Sequence, residues 1–182
     1  DRMRPAVACR DRVTRQAVER HRGRVVKSTG DGIHAVFDDA ADAVAAALHL
    51  QLTLADPAAT AGLELRLRCG LHVGADEYRD GDFYGTAVNR AARIMSVAHG
   101  GQTLLSQAIV NSVGERMPPG ATRRDLGHVR LRDLTSPERV YQLEHARLRA
   151  QFPPLRSLEP TPNNLPQQLN SFVGRERELA QA

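Results

Sequence analysis

Arg24-Val25-Val26-Lys27-Ser28-Thr29-Gly30-Asp31-Gly32-Ile33-His34-Ala35-Val36-Phe37 is the stretch on which the fold turns. Two runs rich in β-branched residues, 24–28 and 33–37, flank Thr29-Gly30-Asp31-Gly32. Asp-Gly between such runs tolerates the left-handed backbone of a tight reversal, so the stretch predicts a β-hairpin. Gly30–Ala35 also fits a G-x-G-x-x-A pattern. A dinucleotide fingerprint needs a helix after its glycines, and here a strand follows, so that reading is rejected.

Outward from the hairpin, helical and extended patterns alternate. Residues 5–22 set Val7, Val13 and Val18 with Ala6 and Ala17 along a helical stripe among arginines and acids, closed by Gly23. Asp38 and Asp39 stand where they can cap a second helix over 40–54, which stops ahead of Pro57. Residues 63–73 alternate Leu63, Leu65 and Leu67 against Glu64, Arg66 and Arg68, the pattern of a half-buried strand. Then come a polar loop over 74–81, a helix over 83–98, a short strand over 103–105 and a short helix capped by Ser106. Two or three strands are expected over 122–144, clearest at 139–143. This order of elements is α+β with mixed strand pairing. Residues 151–168 are proline-rich without a long apolar run and read as a linker.

Composition narrows the function classes. The chain has 182 residues, 41% of them apolar, enough for a core. Aromatics are 4% with no Trp, which argues against a stacking surface for single-stranded nucleic acid. No apolar run reaches the ~18 residues of a membrane span, and the first 15 residues are charged throughout, unlike a signal peptide. Cys9 and Cys69 lack zinc or disulfide-framework spacing. The expectation is a cytoplasmic protein without membrane contact. Of the 25 basic residues only Lys27 is lysine. Lys is a compact point charge and Arg a planar fork, so a site can need one and refuse the other; chance is the competing explanation.

Three constellations carry chemistry. Asp31, at a hairpin tip, is placed to hold a hard cation beside phosphates, although taken alone it reads first as the Asp of an Asp-Gly turn. In Asp82-Phe83-Tyr84-Gly85-Thr86-Ala87-Val88-Asn89-Arg90-Ala91-Ala92-Arg93, Asn89 and Arg93 are four apart and share a helix face. An amide and a guanidinium there can hold a sugar edge and a phosphate. Asp82, just ahead of the helix, can accept from a base amine or simply cap it, and Arg93 can simply be solvated. Arg132, expected on a late strand, can reach a triphosphate or serve as a solvated edge charge.

Together these segments resemble the catalytic domain of the class III nucleotidyl cyclases, from about Pro5 to about His145. The most specific parts are the run from Arg24 to Gly32 and that from Asp82 to Arg93. The resemblance implies an α+β, ferredoxin-like sandwich working as a head-to-tail homodimer with sites shared between subunits. It implies that Asp31 is the second of two metal-binding aspartates, for Mg²⁺ or Mn²⁺. It assigns Lys27 and Asp82 to the adenine, hence ATP as substrate, Asn89 to the ribose and Arg93 to the α-phosphate. Arg132 stands where the family has a lysine on the terminal phosphates. The implied product is 3′,5′-cyclic AMP, with pyrophosphate leaving.

The resemblance also implies a strand with the first metal aspartate ahead of the first helix, and none is written before Pro5. The expected organisation is therefore a cyclase domain over 1–150, incomplete at its N-terminus and feeble alone. A linker follows over 151–168. The beginning of an NTPase domain over 169–182 resembles that of bacterial multidomain regulators. The alternative is a non-catalytic nucleotide-sensing or dimerisation module. Eight Arg against three acids over 1–24 raise nucleic-acid binding, but without a groove-reading motif no direct nucleic-acid contact is expected.

Overall fold

The computed structural model describes residues 3–29, 32–79 and 81–157. Helix α1 (Met3–Arg20) buries Cys9, Val13 and Ala17, spaced four apart, with Val18 beside them. Val7, expected on this stripe, is 40% exposed, and Cys9 takes its place. The helix ends through Arg22, at φ 60°, and the Gly23 amide returns to the Val18 carbonyl at 2.9 Å. Gly23 is needed for a different reason than a helix stop: a Cβ there would lie 2.3 Å from the Phe37 ring.

The predicted hairpin forms. Strand β1 (Arg24–Thr29) pairs antiparallel with β2 (Gly32–Val36), with a bulge between Val25 and Lys27. Helix α2 (Ala40–Leu54) starts at Asp39, whose carboxylate accepts the Ala41 amide at 2.9 Å. Leu50 and Leu54 of α2 pack with Cys9, Val13 and Ala17 of α1.

Residues 63–68 differ from expectation. The alternation holds, since Leu63, Leu65 and Leu67 pack under the α1–α2 pair while Glu64, Arg66 and Arg68 face out. Yet only β3 (Cys69–Leu71) joins a ladder. Side-chain period reports which face is buried; a strand also needs a neighbour on its backbone edge.

Residues 74–85 differ more. In place of a loop and the first turn of a helix stands a second hairpin, β4 (Glu77–Arg79) with β5 (Asp82–Tyr84). Helix α3 (Thr86–Val97) follows it. Then come β6 (Thr103–Ser106), α4 (Gln107–Val113), β7 (Ala121–Val129) and β8 (Glu138–His145). Ser106 caps α4 as predicted, its hydroxyl accepting the Ile109 amide at 3.3 Å.

The main sheet runs β3-β6-β8-β7, parallel between β3 and β6 and antiparallel elsewhere. Helix α3 is the crossover between its two parallel strands. Alternation sends Leu104 and Val140 toward Ile94 and Val97 of α3, and Leu105 and Tyr141 toward Val44 and Leu48 of α2 and Ile109 of α4. The sheet is thus sandwiched between helices, an α+β fold. Among the described residues no helix is long and apolar enough to cross a membrane.

Candidate active site

Packing dictates which face of α3 is available for chemistry. Ile94 and Val97 are buried against the sheet, which leaves Asn89 exposed and Arg93 39% exposed in its side chain. The four-residue spacing sets both on one side of the helix. Arg93 is not merely solvated: its Nη2 donates to Asp133 Oδ2 at 2.6 Å. Asp133 follows Arg132, and both lie in a turn after β7, so Arg132 is not on a strand as expected. Leu131 is 3% exposed and anchors the turn in the core, which projects Arg132 into solvent. The ion pair thus brings the Arg132 turn to α3. One turn earlier, Arg90 bonds Glu138 of β8 at 3.1 Å. A cleft of about 260 Å³ opens beside these pairs, lined by Arg90, Asp133, Glu138 and the loop between the two acids.

A second group forms where the two hairpins meet. The Arg24 guanidinium of β1 lies over the Tyr78 ring at 5.1 Å and the Phe83 ring at 5.3 Å, and His34 of β2 meets Phe83 edge-on at 6.5 Å. This sets β1, with exposed Lys27, next to β5, which begins at Asp82. The N-cap position of α3 is Gly85, just after β5. Asp31 lies outside the described residues. Among the described residues no group of three or more His, Cys, Asp or Glu side chains could hold a metal ion.

The α3 cap is a residue that sequence reasoning missed. Asp76 accepts the Ala87 amide at 3.0 Å and the Val88 amide at 2.7 Å, reaching across from ahead of β4. The other missed group is His72, whose Nδ1 lies 2.9 Å from the Ser106 hydroxyl. Burial, then the Arg90 charge, holds His72 below the usual histidine range, with Asp76 opposing. A larger hollow of about 380 Å³, near the start of β6 between Gln51, Leu63 and Gly101, contains none of the candidate residues.

The adenylate and guanylate cyclase catalytic domain matches residues 11–145, and the chain belongs to that family. An uncharacterized Mycobacterium tuberculosis protein is 41% identical over 181 residues, covering 98% of this chain and 61% of its own length. The chain thus spans about three fifths of that relative. A putative adenylate cyclase of Rhizobium meliloti is 33% identical over 144 residues, covering 78% of this chain and 24% of its own. Among solved structures, an adenylate cyclase from Trypanosoma brucei in its monomeric state superposes with TM-score 0.72 at 27% identity, covering 85% of this chain and 83% of its own. An adenylate/guanylate cyclase/hydrolase from Silicibacter pomeroyi gives TM-score 0.63 at 30% identity, with 75% and 82% covered.

Proposed function

We propose that this chain is the catalytic part of an adenylate cyclase, converting ATP to 3′,5′-cyclic AMP and pyrophosphate within a larger regulatory protein. The observation that carries the reading is the solvent face of α3. It presents the Asn89 amide and the Arg93 guanidinium four residues apart, with the Arg132 turn tied to it through Asp133. A planar guanidinium with parallel donors suits a phosphate whose charge grows in the transition state. The ribose 3′-oxygen attacks the α-phosphorus and its proton passes to solvent water; the bond from the α-phosphorus to the bridging oxygen breaks, and pyrophosphate departs with that oxygen. Asn89 orients the ribose, Arg93 holds the α-phosphate charge, and Arg132 holds the terminal phosphates. Lys27 and Asp82 read adenine from the paired hairpins. Positioning and electrostatics supply most of the rate in such transfers.

The working unit in this reading is a head-to-tail homodimer, with Asp31 and its Mg²⁺ or Mn²⁺ on one subunit and Lys27, Asp82, Asn89 and Arg93 on the other. Residues 169–182, outside those described, begin the regulatory NTPase. The test uses the full-length parent protein with ATP or GTP and Mn²⁺. Arg93→Ala and Asp31→Ala each abolish cyclic AMP, and mixing the two restores part of it. Folded mutants that fail to complement overturn the shared site. A wild-type protein that binds ATP and makes no cyclic nucleotide establishes the nucleotide-sensing module instead.

A further inference from the structure

Helix α3 is the element on which the proposed chemistry depends, and it has no cap of its own. Its N-cap is Gly85, which brings no side chain to the first turn. The first four amides of any helix lack intrahelical partners, and its N-terminus carries about half a positive charge. Asp76 supplies both remedies from outside. One carboxylate oxygen takes the Ala87 amide at 3.0 Å, the other the Val88 amide at 2.7 Å. Asp76 is half-buried there, at the end of an exposed segment over 73–75. A Cβ on Gly74 would lie 2.6 Å from the Ala87 side chain. A Cβ on Gly85 would lie 1.9 Å from Asp76 Oδ1 and 2.5 Å from its Cγ. Gly85 thus makes room for the carboxylate, and Gly74 for the close approach of its segment to the helix.

We infer that Asp76 is a positioning residue for the cyclase reaction, setting the start and direction of α3 and through it the aim of Asn89 and Arg93. This rests on the function proposed above. The carboxylate has a second consequence. A helix N-terminus with open amides is a ready phosphate site. Asp76 fills that place with a fixed negative charge, so the substrate's phosphates are turned away from the helix end and left to Arg93, two turns in. The clamp therefore selects which group on α3 meets the anion. Asp76 touches no reacting atom; it acts through the helix.

The geometry predicts a specific coupling. Gly85→Ala collides with Asp76 and is also strained by its own backbone, at φ 159°. In an Asp76→Ala background the two closest contacts, with Oδ1 and Cγ, are gone and the 3.1 Å contact with the position-76 Cβ stays. The experiment measures thermal midpoint, amide exchange at Ala87 and Val88, and kcat and KM for ATP. It uses the full-length parent protein and its variants D76A, D76N, G85A and D76A/G85A. D76A exposes the Ala87 and Val88 amides to faster exchange and lowers kcat about tenfold or more with KM little changed, as a displaced catalytic group does. D76N keeps one acceptor and falls between wild type and D76A. G85A alone is damaging through both the clash and its own backbone strain, and the double variant loses less than the sum of the two single losses, because the clash with the carboxylate is gone while the backbone cost stays. Additive G85A and D76A effects, or unchanged exchange at the two amides in D76A, overturn the clamp. If the wild type makes no cyclic nucleotide, the proposed function fails; exchange and melting still decide the clamp.

Discussion

Asp133→Asn is expected to tighten nucleotide binding, opposite in sign to every other substitution at the site. Arg93 and Asp133 form a single contact at 2.6 Å between side chains 39% and 65% exposed. A pair of that exposure contributes about 0.2–1 kcal/mol. A phosphate reaching Arg93 must displace the carboxylate, so its removal returns up to about 1 kcal/mol to binding, roughly fivefold in Kd. Asn is the right replacement because Asp133 sits at φ 61°, a backbone region Asn tolerates well. The assay is calorimetric titration of the full-length protein with a non-cyclisable ATP analogue at low and high ionic strength. The gain should be largest at low salt and shrink as salt screens the exposed charges. D133N that binds more weakly than wild type at low salt refutes the reasoning, and assigns Asp133 to orienting Arg93 instead of competing for it.

Leu155→Ala should destabilise the domain by about 1–2 kcal/mol, less than the 2–5 of a fully buried leucine. Leu155 packs on the core below α3, the Arg156 amide donates to the Val97 carbonyl at 3.1 Å, and His99 Nε2 lies 3.0 Å from the Pro154 carbonyl. An unchanged urea midpoint would show that this strap does not hold α3. Acidification from pH 7 to 5 should also destabilise the protein. Burial holds His21, His49 and His72 below the histidine value of 6.5, with a neighbouring histidine or arginine charge adding to each. The unfolded chain then takes up protons that the native state resists, so stability is intact above 6.5 and lost as pH falls toward the lowered native values. His49→Gln should flatten that profile in denaturant melts; a profile as steep as wild type removes His49 as a cause.

Local chemistry was legible and long-range pairing was not. The Asp39 and Ser106 caps, the first hairpin and the Leu63–Leu65–Leu67 face all follow from neighbours within a few residues. The second hairpin carried the same signal, an Asp80-Gly81 pair between Tyr78 and Phe83, but each strand is three residues long, too short for a period to register. Asn89 and Arg93 were readable as a pair because helix geometry fixes residues four apart. Asp133 as the partner of Arg93 and Asp76 as the cap of α3 were not, since they lie 40 and 11–12 residues away and meet only through the fold. Nothing in their local sequence separates them from any other surface acid.

The separation of site from core explains why one strand carries two different cations. The main sheet buries Leu104, Leu105 and Val140 completely, and the candidate residues described here all lie off it, on hairpins, on the outer face of α3 or on a turn. The first hairpin shares no ladder with the main sheet, so its place beside the second relies on side chains. Arg24 meets that need by stacking over Tyr78 and Phe83, which a planar delocalised guanidinium does and an ammonium on a thin stem does less well. Lys27 lies three residues further along, beyond a bulge that re-aims the strand, and is exposed. In a chain that uses arginine everywhere else, the stacking position has the fork, and the exposed position that we propose reads the base has the point charge. Composition alone left chance open for Lys27. On that proposal the two cations of one strand have tasks suited to their shapes, which weighs against chance for Lys27.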